Sequence, residues 1–221
     1  MKKLVKKHKS FWSQRAFRFS VFVGLLLFLG SLGINYIANN YAIEVSSNSV
    51  SDVLLDNLPV VDTEIIFVEG SLAFVAFVFL LLIREPQRIP FVLKAMALFV
   101  IVRSIFVTLT HLGPFPQHIT LHSPSEIYRI LIYSSGADLF FSGHTGLPFL
   151  FALMFWRKYI LRVLFLVSSL VAASSVILGH LHYSIDVMAA FFITFSIFSM
   201  AKRFFKTDYR VFQHGMETEE D

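Results

Sequence analysis

The stretch that decides the fold is FSVFVGLLLFLGSLGINYIANNYAI, residues 19–43, which contains no charged residue. A helix needs ~20 mostly apolar residues to cross the hydrocarbon core of a bilayer, so this stretch is long enough to cross. It is too long for the hydrophobic part of a cleaved signal peptide, and we predict that it is retained. The whole chain is 56% hydrophobic and only 15% charged, unlike a soluble domain.

Further runs of low charge extend this reading to the rest of the chain. We predict an all-α, polytopic membrane protein with six transmembrane helices, and a soluble bundle of buried helices is the less favoured alternative. The fourth and sixth spans are short and need residues from their flanking segments to reach the length of a membrane crossing. The six predicted spans are about 19–38, 64–83, 91–111, 144–158, 161–180 and 184–202.

The distribution of basic residues predicts the orientation. Of the 19 Lys and Arg residues, 17 lie on the side of the predicted bundle that carries the N-terminus; the exceptions are Arg103 and Arg129. This asymmetry places both termini in the cytoplasm. Residues 1–18 then form a basic cytoplasmic segment that suits anionic lipid, 19–202 the membrane domain and 203–221 a cytoplasmic tail. The uneven distribution of Lys and Arg also argues against nucleic acid as the partner of this basic chain.

Two polar motifs interrupt the apolar pattern on the opposite, non-cytoplasmic face. DLFFSGHTG, residues 138–146, opens the fourth span, and HLHYSID, residues 180–186, joins the fifth to the sixth. His144 and His182 are separated by one span down and one span back, so both end at the same depth. We therefore predict that the two histidines converge on one substrate.

The residue types in these motifs suit chemistry at phosphorus. His182 and Asp186 are four apart and share a helix face, so the carboxylate can orient the imidazole as a nucleophile. Ser142 and Gly143 begin a helix whose free amides favour an anion, beside His144 as general acid. Each motif alone is more simply a helix cap, but the pair favours catalysis. With no Cys and no dense carboxylate cluster, we expect neither a metal nor a cofactor.

These motifs resemble those of the type 2 phosphatidic acid phosphatase superfamily, and within it the sphingomyelin synthase branch. The superfamily carries P-S-G-H and S-R-x5-H-x3-D, whereas here Phe141 and Val176 replace the Pro and the Arg. The branch pattern fits better, with Asp138 four residues before S-G-H-T and then H-Y-[ST]-x-D-V at residues 182–187. The similarity covers about 55–205 and includes VRSIFVTLTHLGPFP and VDTEIIFVEG. The superfamily's K-x6-R-P phosphate clamp is incomplete here. Arg103 can replace the Lys, but Thr110 occupies the Arg position.

The resemblance implies a catalytic triad of His144, His182 and Asp186. It implies transfer of a phosphocholine- or phosphoethanolamine-type head group from a glycerophospholipid to a ceramide- or diacylglycerol-like alcohol, through a phosphohistidine. The alternative is a lipid phosphate phosphatase that uses the same site with water as acceptor. A non-catalytic lipid-binding protein is less favoured, because the His/His/Asp set is intact.

The positions of several other polar residues predict roles for them. Arg103, inside the third span, and Arg129, in the loop that follows it, are candidates to bind the phosphate, and Asp138 caps a helix or positions His144. Glu69 has two open alternatives: it pairs with Arg103, or it acts as an acid in the site. His180 is expected at the membrane interface, and His111, His118 and His122 are not expected to bind metal.

Overall fold

The regular secondary structure is entirely helical within residues 2–121 and 139–215, which the computed structural model describes. This confirms the all-α prediction. A single 3₁₀ turn, Pro86–Arg88, precedes the fourth helix. The helices are α1 (Lys2–Ser13), α2 (Arg15–Glu44), α3 (Glu64–Arg84), α4 (Ile89–Leu109), α5 (Gly143–Met154), α6 (Tyr159–Leu178), α7 (Ser184–Phe204) and α8 (Lys206–His214).

Five of these segments are long and apolar enough to cross a membrane, which confirms a polytopic membrane protein. They are α2, α3, the segment Pro86–Leu109, α6 and α7. The predicted fourth span corresponds to α5, which is apolar but has only 12 residues. At ~1.5 Å per residue it is about 18 Å long, less than the ~30 Å hydrocarbon core. The fourth predicted span is therefore a shorter helix that does not reach across the core by itself.

The short helix α5 occupies the centre of the bundle. It packs between α6 and α7, while α2 packs mainly against α4 and α3 against α6. Most of its side chains from Thr145 to Met154 are buried. Aromatic rings from α3, α4, α6 and α7 lie in the same apolar cluster, among them Phe74, Phe91, Phe99, Phe165 and Phe198. A central helix surrounded in this way is fixed by apolar packing on every side.

The two terminal helices fold back onto one end of the bundle, an arrangement that the sequence analysis did not predict. His8 Nε2 lies 2.7 Å from the Ile83 carbonyl at the end of α3. Asp208 of α8 forms an ion pair of 2.6 Å with the buried Lys94 of α4. Phe212 is 1% exposed within the main core. Both termini therefore lie at the end where α3 meets α4.

The two polar motifs lie at the other end, slightly inside it. Phe67, which contacts the first motif, is three residues from the start of α3. Arg103, which also contacts it, is six residues from the end of α4 at Leu109. At ~1.5 Å per residue these positions lie about 5–9 Å below the helix ends. The motifs thus occupy a recess and not a surface turn.

Candidate active site

The second motif contains a buried histidine–carboxylate pair at the entry to α7. His182 Nδ1 lies 3.2 Å from Asp186 Oδ2, and the same oxygen accepts a hydrogen bond of 3.1 Å from the Tyr183 backbone N–H. His182 is 5% exposed and Asp186 is fully buried. An ionised carboxylate only accepts hydrogen bonds, so the ring proton is assigned to Nδ1. This leaves the lone pair on Nε2 available to a substrate.

The first motif forms the beginning of α5. Ser142 is the N-cap, and its hydroxyl oxygen accepts a hydrogen bond of 3.4 Å from the Thr145 backbone N–H. Gly143 and His144 are partly exposed, whereas Ser142 and Thr145 are buried. The His144 ring lies against Phe67 of α3, with ring centroids 4.1 Å apart and an interplanar angle of 38°. This contact limits the orientations open to the His144 ring.

One backbone hydrogen bond joins the two motifs directly. The Ser142 N–H donates to the Asp186 carbonyl oxygen across 3.1 Å. Ser142 is two residues before His144, and Asp186 holds His182. The bond places the start of α5, which bears His144, beside the turn that bears His182 and Asp186, although 38 residues separate the two histidines.

Arg103 lies across the first residue of α5. It is 8% exposed, and a Cβ atom added to Gly143 would come within 3.2 Å of Arg103 Nε and 3.5 Å of its Cδ. The N-terminus of a helix carries partial positive charge, and a guanidinium beside it adds a full positive charge. The helix start and the guanidinium thus place two groups that favour an anion such as phosphate side by side.

Left-handed backbone conformations concentrate beside both motifs. Among the described residues other than glycine, only Phe140, Phe141 and His180 have positive φ, at 93°, 31° and 54°. The first two immediately precede Ser142, and the third lies two residues before His182. Such conformations cost on the order of 1–3 kcal/mol each and concentrate at functional sites. The positive φ angles beside both motifs therefore favour a functional role for these turns in addition to connecting helices.

Tyr183 connects the site to two preceding loops. Its hydroxyl accepts a hydrogen bond of 3.2 Å from the Val50 N–H and donates one of 2.9 Å to the Gly113 carbonyl. Burial raises the pKa of the Tyr183 phenol, against an opposing effect of the Val50 hydrogen bond, so the hydroxyl stays protonated. Tyr183 therefore ties the residue next to His182 to the segments before α3 and after α4.

The remaining predicted residues fall in two groups, and a separate prediction concerned metal. Arg129, Asp138 and His122 lie outside the described residues. Glu69 is exposed on α3 while its neighbour Val68 is buried, so Glu69 points away from the recess. Within residues 2–121 and 139–215, no group of three or more His, Cys, Asp or Glu side chains is placed to hold a metal ion.

The prediction that His180 lies at the interface was wrong. It is 2% exposed, and its ring meets Phe115 edge-on with centroids 5.3 Å apart. The left-handed turn at His180 directs the side chain under the loop that follows α4, a direction that helical spacing could not reveal.

Three contact residues escaped the sequence analysis: Phe67, Tyr183 as a hydrogen-bonding side chain, and Asp52, which reaches Ser184 at the start of α7. Asp52 is separated from Ser184 by 132 residues, so no local pattern joins them. The nearest signal was the presence of carboxylates in a loop without Lys or Arg, which is too general to choose one.

Comparison with known proteins gives one match. Residues 136–203 match the family model described as PAP2 superfamily C-terminal. No curated protein and no solved structure matches the chain significantly. The matched region contains α5, α6 and α7 with both motifs. It supports a place in the type 2 phosphatidic acid phosphatase superfamily and, at that level, a phosphatase- or phosphotransferase-like lipid enzyme.

Proposed function

We propose that this protein is an integral-membrane lipid phosphotransferase of the sphingomyelin synthase type. It moves a phosphocholine- or phosphoethanolamine-type head group from a glycerophospholipid to a ceramide- or diacylglycerol-like alcohol. The observation that carries the proposal is the hydrogen bond from the Ser142 N–H to the Asp186 carbonyl. It places the His182–Asp186 pair beside the helix start that bears His144, where Arg103 adds positive charge.

The proposed reaction has two half-reactions. His182 Nε2 attacks the donor phosphorus, the bond from phosphorus to the lipid oxygen breaks, and His144 gives that oxygen a proton. The head group is then bonded to His182 as a phosphohistidine. His144 next takes the proton from the acceptor hydroxyl, whose oxygen attacks phosphorus and releases His182. Asp186 stabilises the positive charge on the ring throughout.

The start of α5 and Arg103 supply the phosphate site in this proposal. The backbone N–H groups of Gly143 and His144 bind the non-bridging oxygens, and the Arg103 guanidinium neutralises the charge that develops there. Arg129 and Asp138 remain predicted contributors to substrate binding. No divalent cation takes part in this scheme, so turnover is expected to persist in the presence of a chelator.

The second candidate is a lipid phosphate phosphatase. The match of residues 136–203 to the broader superfamily favours it as much as it favours the transferase. Both reactions share the first half-reaction and differ in whether water or a lipid alcohol meets the phosphohistidine. We propose membrane lipids as the substrates in either case, and the charge asymmetry supports a site on the non-cytoplasmic face.

The test uses purified protein in mixed micelles with two substrates offered separately. One is fluorescent ceramide with phosphatidylcholine, and the other is fluorescent phosphatidate. Head-group transfer to ceramide supports the transferase, and release of inorganic phosphate supports the phosphatase. Turnover of neither substrate would contradict both.

Histidine variants then test the assignment of roles. His182→Ala is expected to abolish turnover and labelling by a nitrophenyl phosphocholine donor, because the nucleophile is lost. His144→Ala is expected to lose ~10²–10⁴-fold in lipid turnover yet still label His182 from the nitrophenyl donor, whose leaving group needs no acid. His118→Ala, an exposed histidine near the same end, is the matched control. Labelling of His144 in place of His182, or full turnover by His182→Ala, contradicts the roles.

A further inference from the structure

A polar segment crosses the site end of the bundle between α2 and α3. We call residues 45–63 the strap. It is fastened to the end of α6 by the Val61 N–H, which donates to the Leu178 carbonyl at 2.9 Å, and by the Thr63 hydroxyl, which donates to the Ser175 carbonyl at 2.9 Å. Its middle reaches further, to the first residue of α7. The strap therefore touches both helices that flank the His182 turn.

Asp52 makes the contact with α7. It is 8% exposed, and one carboxylate oxygen, Oδ2, accepts hydrogen bonds of 2.8 Å from both the backbone N–H and the hydroxyl of Ser184. The other oxygen, Oδ1, accepts from the backbone N–H groups of Leu54 at 2.9 Å and Leu55 at 3.1 Å. Both oxygens are thus surrounded by donors, an environment made for an ionised carboxylate.

The Ser184 N–H belongs to the first turn of α7, where backbone N–H groups have no partner within the helix. Asp52 supplies that partner and places a negative charge at the positive end of the helix dipole. Ser184 lies midway between His182 and Asp186, which are bonded to each other. A carboxylate that fixes Ser184 therefore fixes the peptide between the two members of the pair.

We infer that Asp52 is a positioning residue for the His182–Asp186 pair. It acts through Ser184 and touches neither the substrate nor the reacting atoms. The inference rests on the proposed function, because it assigns Asp52 to the step in which His182 attacks phosphorus. Asp52 holds the first turn of α7 in the geometry in which His182 Nε2 faces the start of α5.

Each Asp52 carboxylate oxygen accepts two hydrogen bonds, so no neutral side chain of the same shape can replace it fully. An asparagine has one acceptor oxygen and one NH₂ group, so it can accept from Ser184 or from Leu54 and Leu55, but not from both sets. Asp52→Asn therefore breaks one half of the connection and directs an NH₂ group at a donor. Ser184→Ala removes only the hydroxyl and keeps the N–H, so its effect is expected to be smaller. Ser184→Thr keeps both donors.

The control is Asp62→Asn. Asp62 is an exposed acid of the same strap whose carboxylate accepts from the Glu64 N–H at 3.0 Å at the start of α3. It has the same charge change in the same segment, without a contact to α7. A loss shared by Asp52→Asn and Asp62→Asn would reflect the strap's charge, whereas a loss confined to Asp52→Asn reflects the bond to Ser184.

The kinetic test is a pre-steady-state burst measurement on the 221-residue chain in detergent with excess nitrophenyl phosphocholine. The burst amplitude counts folded active sites, and the burst rate constant reports how well His182 attacks. Asp52→Asn is expected to lower the rate constant about 10- to 100-fold with an amplitude near that of the parent. Ser184→Ala should give a smaller loss, and Ser184→Thr and Asp62→Asn should match the parent. A purely structural role lowers the amplitude and leaves the rate constant unchanged, which would overturn the inference.

Amide hydrogen exchange gives a second readout that does not need activity. The peptide covering residues 183–187 is expected to exchange at least about tenfold faster in Asp52→Asn than in the parent, with no change in Asp62→Asn. Unchanged exchange in Asp52→Asn would overturn the inference whether or not the protein turns over lipid. If the parent forms no phosphohistidine while the exchange difference appears, the proposed function fails and the link from Asp52 to α7 stands.

Discussion

Asp186→Asn separates the charge of this carboxylate from its geometry. In the parent, Oδ2 accepts from His182 Nδ1–H and from the Tyr183 N–H, while Oδ1 is buried and accepts no hydrogen bond within the described part of the chain. An amide NH₂ group at the Oδ2 position would face two donors, so the amide oxygen must occupy it. His182 then keeps its proton on Nδ1 and its lone pair on Nε2.

The magnitude follows from losing charge without losing orientation. A hydrogen bond to a charged group contributes about 1.5–3 kcal/mol, and one between neutral groups about 0.5–1.5 kcal/mol. The ring becomes positively charged as Nε2 bonds to phosphorus, so this difference appears in the barrier. The difference of about 1–2.5 kcal/mol corresponds to a loss of about 5- to 70-fold in rate. By contrast, an Asp→Asn change that leaves the wrong tautomer in a serine-protease triad costs ~10⁴-fold.

The assay is the rate of phosphohistidine formation from nitrophenyl phosphocholine, scaled to the burst amplitude. That scaling matters because the buried NH₂ group at the former Oδ1 position lowers the free energy of unfolding by about 1–3 kcal/mol and so reduces the folded fraction. A loss of 10⁴-fold or more would show that Tyr183 does not fix the amide. A rate equal to that of the parent would show that the Asp186 charge plays no part in the attack.

Three further predictions concern topology, packing and pH. The chain has no cysteine, so a single Cys at Asn48 should react with an impermeant thiol reagent in intact cells and one at Lys206 should not; the reverse labelling would refute the orientation. Gly146→Ala places a Cβ 2.9 Å from the Phe99 ring and should lower the apparent Tm by several degrees, whereas Gly30→Ala, with nothing within 4 Å, should not; equal Tm values would contradict the packing. Burial acts to raise the pKa of Asp52, but the hydrogen bonds from Ser184 outweigh it, so this pKa is lowered. The ionised Asp52 therefore stabilises the fold above about pH 4, and this stabilisation is lost as the pH falls further. The Tm difference between parent and Asp52→Asn should shrink in that acid range, and a constant difference would exclude this.

The helices follow from the sequence because charge marks their ends. The predicted span 64–83 is α3, Glu64–Arg84, and the predicted span 161–180 is α6, Tyr159–Leu178. The first span was predicted as 19–38, yet α2 runs over Arg15–Glu44. The apolar window measures the thickness of hydrocarbon, and a helix with satisfied backbone hydrogen bonds continues through polar residues beyond it.

The site follows from the sequence only where its contacts are local or where topology is simple. The i, i+4 spacing anticipates the contact between His182 and Asp186, and the count of spans brings His144 to the same end. The bond from Asp52 to Ser184 depends on how a 19-residue segment crosses the bundle, and nothing in its own pattern records that path. The burial of His180 likewise depends on one backbone angle at a turn.

The left-handed turns and the strap supply different contacts to the two motifs at this end of the bundle. Phe141 has φ of 31°, is fully buried, and packs edge-on against Phe99 at 5.3 Å and Phe106 at 6.1 Å. Each such aromatic contact adds about 0.5–1.5 kcal/mol beyond the area it buries, comparable to the cost of the left-handed angle. Packing therefore fixes the turn that leads into His144, where no hydrogen bond along α5 could act. Hydrogen bonds to Asp52 act on the turn that leads out of His182, beside the apolar packing of Tyr183 against Leu55 and Leu139. The two turns are thus held mainly by different contacts, and the hydrogen bond from the Ser142 N–H to the Asp186 carbonyl joins them. A variant that weakens one turn should therefore disturb the other less than its own.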